Sequence, residues 1–263
     1  MNAMIQLSNL TIGYHQGRQG NIEVATSLNG SLARGELTCL LGPNGEGKST
    51  LLRTLAAFQP SLSGEVLLLG KSVSSYTQKE LSRVVSVVLT EKPSVEHLTV
   101  EDIVGMGRSP YTGFWGRLSA EDKNMVNKAM EQVGIVHLCG RSLQTLSDGE
   151  RQKVMIAKAL AQHTPIILLD EPTSFLDYPS KVHTLRMLRN LAHDLQKTIF
   201  LSTHDVELAL QLADQIWLMH DGQLTTGSPR QLATDGALER FLCKDGICLD
   251  RASMTLRLTN LGE

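Results

Sequence analysis

A chain of 263 residues with 41% hydrophobic and 20% charged side chains has the composition of a globular protein with one sizeable domain. A formal charge of -2 supplies no basic field for DNA or an anionic membrane, and 4% aromatics are too few for a base-stacking platform, so no nucleic-acid partner is expected. No apolar run approaches the roughly 20 residues that cross a bilayer.

The opening stretch MNAMIQLSNLTIGY lacks the basic and apolar regions of a signal peptide. The expectation is a chain on the cytosolic side that reaches a membrane only through another protein. Cys39, Cys139, Cys243 and Cys248 make no CxxC pair and read as reduced thiols.

In chain order, residues 5–12 alternate as a strand, 22–32 form a second β-like stretch, and 37–41 are a short apolar run ending at a glycine loop. A helix over 48–57 follows, then strands over 65–69 and 84–89. From about residue 93 to 160 the pattern is helical. Thr99 caps one helix with Asp102 in its first turn. Ser119 caps a second, over 120–133, in which Met125, Val126, Ala129, Met130 and Val133 share a face, and a third begins near Asp148. Strand and helix then alternate: 166–170, 180–195, 198–202 and 205–213. A hairpin over 216–226 turns at Asp221-Gly222. The pattern predicts an α/β fold, a mostly parallel sheet with helices on both faces and a helical insertion at about 92–160. Residues 1–242 read as one domain and 243–263 as a small strand-rich appendage.

Gly42-Pro43-Asn44-Gly45-Glu46-Gly47-Lys48-Ser49-Thr50 fits G-x-x-x-x-G-K-[ST] between a strand and a helix, the context a phosphate-binding loop requires. Its glycines let backbone N–H groups face phosphate oxygens, and the helix presents its positive dipole end. Lys48 neutralises β- and γ-phosphates of ATP in this reading, and Ser49 ligates Mg²⁺. Glu46 is unusual there: a carboxylate about 4 Å from a phosphate charge costs roughly 4 kcal/mol at an effective dielectric near 20, so its side chain is expected to point outward. Ile166–Leu169 followed by Asp170-Glu171 is a buried strand ending in two acids. Asp170 there suits Mg²⁺ or its water shell, and Glu171 the activation of an attacking water.

Leu146-Ser147-Asp148-Gly149-Glu150-Arg151-Gln152 resembles the LSGGQ signature of ATP-binding cassette (ABC) proteins. Ser174-Phe175-Leu176-Asp177 resembles their D-loop, Ser202-Thr203-His204-Asp205 their switch histidine, and Tyr14 the aromatic that stacks on adenine. The resemblance runs over about residues 4–240. It implies a P-loop ATPase core with an N-terminal antiparallel β subdomain and an inserted α-helical subdomain. It also implies a head-to-tail homodimer in which Ser147 and Gly149 touch the γ-phosphate held by the other subunit. Asp177 would cross that interface, and His204 would hold Glu171 and the water in line.

Two positions depart from the pattern. Glu91 stands where the family carries a metal-sensing glutamine, and Asp148 replaces the first signature glycine, where it could cap the helix. Both are expected to be tolerated without loss of turnover. Gly107-Arg-Ser-Pro-Tyr-Thr-Gly-Phe-Trp-Gly-Arg-Leu-Ser119 is similar to the ATPases of metal-chelate importers, which take up ferric siderophores, haem or cobalamin. There Tyr111, Phe114 and Trp115 suit a surface for a permease. The resemblance thus implies a peripheral ATPase on the cytoplasmic face of the inner membrane, with integral-membrane permease subunits and an extracytoplasmic substrate-binding protein. The alternatives are an ABC ATPase for another transported substrate and a soluble ABC ATPase acting on ribosomes or DNA. Ribosome-acting relatives carry two cassettes and DNA-repair relatives long coiled coils; a single cassette and a short insertion disfavour that last reading.

Overall fold

Two sheets close on a single helix. The computed structural model describes residues 3–15, 17, 20–90, 98–113, 116–242, 247–251 and 253–258. Strands β1 (Ile5–His15) and β2 (Asn21–Leu32) pair antiparallel, and β3 (Leu37–Leu41) then leaves for the second sheet. With β4 (Ser63–Leu68) and β5 (Lys71–Ser72) the first sheet has the order β2-β1-β4-β5. The second contains β6 (Val85–Val88), β7 (Ile166–Leu169), β8 (Thr198–Ser202), β9 (Gln215–His220) and β10 (Gln223–Gly227). Its order is β10-β9-β3-β8-β7-β6, parallel except for β10.

Every residue of β3, β7 and β8 is buried, because helices and the first sheet cover both faces. The two-residue period divides their side chains cleanly. Leu40, Leu168, Phe200 and Trp217 face the first sheet together with Leu51, Leu52 and Leu55 of helix α1 (Lys48–Leu55). Cys39, Leu41, Ile167, Leu169 and Leu201 face the remaining helices. Burial pushes the Cys39 thiol well above its ordinary value, which keeps it protonated and inert. Cys139 and Cys248 are also free thiols, and Cys243 lies outside the described residues.

The short α2 (Gln78–Leu81) precedes β6. Between β6 and β7 stand α3 (Val100–Gly105), α4 (Ala120–Gln132) and α5 (Asp148–Ala161), each opened by a capping box: Thr99 with Asp102, Ser119 with Asp122, Ser147 with Glu150. Arg108 locks this region, donating from Nε to Asp122 Oδ1 at 2.9 Å and from Nη1 to Ala161 O at 2.8 Å. A Cβ on Gly107 would lie 2.2 Å from Lys158 O, so the chain passes too close to α5 for any side chain. The segment read as a partner surface is therefore framework at Gly107 and Arg108. Tyr111 is partly exposed, its ring centre 4.0 Å from the Arg108 guanidinium and 5.1 Å from that of Arg83. Phe114 and Trp115 lie outside the described residues.

After β7 come α6 (Tyr178–Asp194), α7 (Val206–Leu212), α8 (Pro229–Thr234) and α9 (Ala237–Leu242). The chain ends in the hairpin β11 (Ile247–Asp250) and β12 (Thr255–Leu258). The sequence pattern does not announce α2, β5, α8 or α9, which span two to six residues and carry too few apolar repeats for a period.

Candidate active site

Strand order brings the site together. β3, β8 and β7 are neighbours, so the loops leaving their C-terminal ends converge on one edge of the sheet. β3 feeds residues 42–47, where Gly45 and Gly47 adopt φ of 86° and 99°, a region other residues enter only with strain. A Cβ on Gly42 would lie 2.6 Å from Met219 O, and one on Gly47 2.4 Å from Val24 Cγ1. The loop is thus clamped between β9 and β2.

Lys48 is buried and folds back over the loop, donating to Gly42 O at 2.7 Å and Pro43 O at 2.8 Å. Burial pulls its ammonium below the ordinary lysine value, while the carboxylates of Glu171, Asp170 and Glu46 act in the opposite sense. Tyr14 is half exposed and its hydroxyl lies 2.8 Å from Thr50 Oγ1, which places the ring beside the first turn of α1.

The expectation that Glu46 points outward is corrected. Its carboxylate turns sideways onto the β9–β10 hairpin, accepting from Gly222 N–H at 3.4 Å and lying 3.7 Å from His220 Nδ1. The Gly222 N–H is its hydrogen-bond donor and the imidazole stands beside it, since the glycine loop packs on that hairpin.

At the end of β7, Asp170 Oδ1 accepts from Ser202 Oγ at 2.7 Å and from Ser49 Oγ at 3.2 Å. The Glu171 N–H donates to Ser202 Oγ at 2.9 Å. Thr90 Oγ1 donates to Asp170 O at 2.9 Å. Glu171 itself holds φ at 47°, a left-handed conformation that costs a non-glycine residue about 1–3 kcal/mol and persists where surrounding bonds impose it. That turn aims its carboxylate at the loop after β8, where Glu171 Oε1 and His204 Nε2 are 2.6 Å apart. Asp205, next to His204, is held by Lys181 Nζ at 2.8 Å and Thr173 Oγ1 at 3.0 Å.

The fold therefore assembles Lys48, Ser49, Asp170, Glu171 and His204 around one sheet edge. Ser49 hydroxyl and Asp170 carboxylate are two hard oxygen donors 3.2 Å apart, a set that fits Mg²⁺. The arrangement can grip a triphosphate through loop N–H groups and Lys48, and can place a base, Glu171, oriented by an imidazole. Glu91 lies outside the described residues. Ser202 is the residue whose role the sequence does not show: it stands there only as the strand end that opens the switch-histidine motif, and the folded chain shows its hydroxyl donating to the Asp170 carboxylate and accepting from the Glu171 N–H.

Ser147, Gly149 and Asp177 stand apart from that cluster among the described hydrogen bonds. Ser147 is exposed at the head of α5, its Oγ donating to Glu150 Oε2 at 2.9 Å. These contacts hold the Glu150 carboxyl below its ordinary value. The cap is thus the Ser147–Glu150 pair, and Asp148 follows it as a first-turn acid 3.8 Å from Arg151 Nη1. A Cβ on Gly149 would meet only Leu176 Cδ2, at an ordinary 3.6 Å. Asp177 caps α6, accepting from Ser180 N at 3.0 Å.

Fold and site together define a P-loop ATPase. The ABC transporter family model matches residues 25–174. An uncharacterized ABC transporter ATP-binding protein of Methanocaldococcus jannaschii, MJ0873, is 42% identical, covering 82% of this chain and 73% of its own. The ferric enterobactin transport ATP-binding protein FepC of Escherichia coli is 36% identical over 91% of this chain and 87% of its own. A solved inward-facing ABC transporter of metal-chelate type superposes with a TM-score of 0.80 at 27% identity, covering 98% of this chain and 97% of its own. The chain belongs to the ABC transporter family, as an ATP-binding and ATP-hydrolysing subunit.

Proposed function

We propose that this chain energises uptake of a metal chelate, a ferric siderophore, haem or cobalamin, through separate permease subunits. The observation that carries the motor role is the 2.6 Å contact between His204 and Glu171, next in the chain to the Asp170 that bonds Ser49. The substrate class rests on the likeness to FepC and to the metal-chelate type transporter.

In this reading Lys48 and the N–H groups of residues 42–50 hold the ATP phosphates, and Tyr14 stacks on adenine. Ser49 and Asp170 would hold Mg²⁺, and the ion would supply charge compensation for the phosphate oxygens. Glu171 orients the attacking water and accepts its proton, and His204 fixes the Glu171 carboxylate while reaching toward the γ-phosphate. Ser147 and Gly149 of a second copy close over that phosphate, supplying the N-terminus of α5 and its free N–H groups. Asp177 faces the second copy beside them. Among the described residues no helix is long and apolar enough to cross a membrane. By its likeness to importer ATP-binding proteins, the chain works in this reading as a peripheral subunit on the cytoplasmic face, with a separate extracytoplasmic binding protein delivering the chelate.

Tagging the chain at its native locus and purifying it from gently solubilised membranes tests the assignment. Recovery of a many-helix permease, together with loss of ferric-siderophore, haem or cobalamin uptake in a Glu171→Gln strain, is the expected outcome. Recovery only with ribosomes or DNA-repair proteins would overturn it.

A further inference from the structure

His204 is anchored unevenly. Its side chain is 43% exposed, so packing alone does not fix the imidazole. A cavity of about 420 Å³, lined by Tyr178, His204, Glu207 and Leu256 among others, opens beside it and leaves the ring room to swing. What keeps Nε2 at 2.6 Å from Glu171 is therefore the backbone on either side of residue 204. Before it, Thr203 N–H donates to Leu40 O of β3 at 3.1 Å. After it, Asp205 is tied to Lys181 and Thr173, and the chain enters α7 at Val206, whose N–H donates to His204 O at 3.0 Å. The next residue, Glu207, accepts through Oε1 from Leu256 N–H of β12 at 2.9 Å.

The C-terminal hairpin is itself fastened to the body of the protein. Leu249, Met254 and Leu256 pack against the main core, and Arg251 pairs with Glu239 of α9. The Leu256–Glu207 hydrogen bond thus links a braced element to the first turn of the helix that begins two residues after His204.

We propose that Glu207 is a positioning residue for ATP hydrolysis, and that the C-terminal hairpin acts as a strut which holds α7, and with it His204, in register with Glu171. The inference rests on the reading of His204 as the residue that orients Glu171. Without the strut α7 can slide or tilt into the adjoining cavity, lengthening the His204–Glu171 contact. The nucleotide-binding loop, on a different strand end, is untouched. The expected signature is a fall in kcat at nearly constant KM for ATP, since a small misplacement of a catalytic group costs rate rather than ground-state binding.

The test is steady-state ATPase and ATP affinity on the full chain carrying Glu207→Ala, Glu207→Gln, Leu256→Pro or His204→Ala. Glu207→Ala removes the acceptor and Leu256→Pro the N–H donor. Each is expected to lower kcat about five- to tenfold with KM changed less than about twofold, and the double variant to lose little more than either alone. Glu207→Gln keeps an acceptor oxygen and is expected to retain at least about half of kcat, which separates the hydrogen bond from the effect of a first-turn charge. In a His204→Ala background Glu207→Ala is expected to add nothing. If His204→Ala lowers kcat while Glu207→Ala and Leu256→Pro stay within about twofold of wild type, the strut is refuted and the role of His204 stands. If His204→Ala itself leaves kcat unchanged, the underlying reading of the switch residue fails instead.

Discussion

Lys48, Asp170 and Ser202 are 6%, 8% and 0% exposed and are bonded between strand ends within one chain. Ser147, at the head of α5, is exposed, and its hydroxyl bonds a residue three positions on. The first region is pre-assembled: strand order places its groups, and burial keeps water from competing with them. The second is a local capping box with its N-terminal face turned outward. A buried cluster is arranged completely by the fold of one chain, whereas an exposed helix N-terminus with a hydrogen-bonded cap becomes useful when something is brought against it.

The sharpest way to break this contrast is Lys48→Ala. Removing the only ammonium placed in the loop sequence is expected to weaken ATP binding about a hundredfold or more, read by fluorescent-nucleotide titration, with turnover lost alongside. Retained affinity would mean that the pre-assembled region does not grip the triphosphate.

Gly149→Ala probes the other region. A methyl group there meets only an ordinary contact with Leu176, so the melting temperature and ATP affinity of the isolated chain should hold. Turnover is expected to fall by about tenfold or more, because in the proposed head-to-tail dimer the methyl group would stand between α5 and the phosphate held by the second copy. A drop in stability matching the loss of turnover would place the effect within one chain instead.

Ser202→Ala asks how much the buried cluster depends on its shared hydroxyl. It leaves the Glu171 N–H without its acceptor and takes one donor from Asp170, at a cost of about 1–3 kcal/mol in stability and an expected fall of about tenfold in kcat. Denaturant unfolding and ATPase rates measured together read both.

The smallest effect on turnover is expected at Asp122, remote from both regions. Ser119 and Arg108 hydrogen bonds hold its carboxyl below the ordinary 3.8. A carboxylate depressed in the folded state stabilises fully above its unfolded pKa and loses that contribution as pH falls through the folded one. Asp122→Asn should thus cost about 2 kcal/mol near neutral pH, and the gap to wild type should close as unfolding is measured below about pH 4.

The same contrast explains what the amino-acid sequence discloses. Strands β3 and β8 and helix α5 are legible to the residue or nearly so, because unbroken apolar runs and capping boxes are local signals. Lys48, Asp170, Glu171 and His204 are legible as motifs with known spacing. Ser202 and Thr90 are not, since a serine at the end of a strand, or a threonine just past one, acquires meaning only from the end of the neighbouring strand. The orientation of Glu46 is hidden for a related reason: its neighbours Gly222 and His220 lie far along the chain and no local pattern reports them. The brace from Leu256 to Glu207 likewise joins residues whose pairing needs the folded chain.

One measurement bears most directly on the account: Mg²⁺-dependent ATPase activity of the full chain and its Glu171→Gln variant, with sedimentation of each in the presence of ATP. The account expects the variant to bind ATP as wild type does, to turn over at least about a hundredfold more slowly, and to sediment as a dimer. A Glu171→Gln variant hydrolysing ATP within a few-fold of wild type would contradict it.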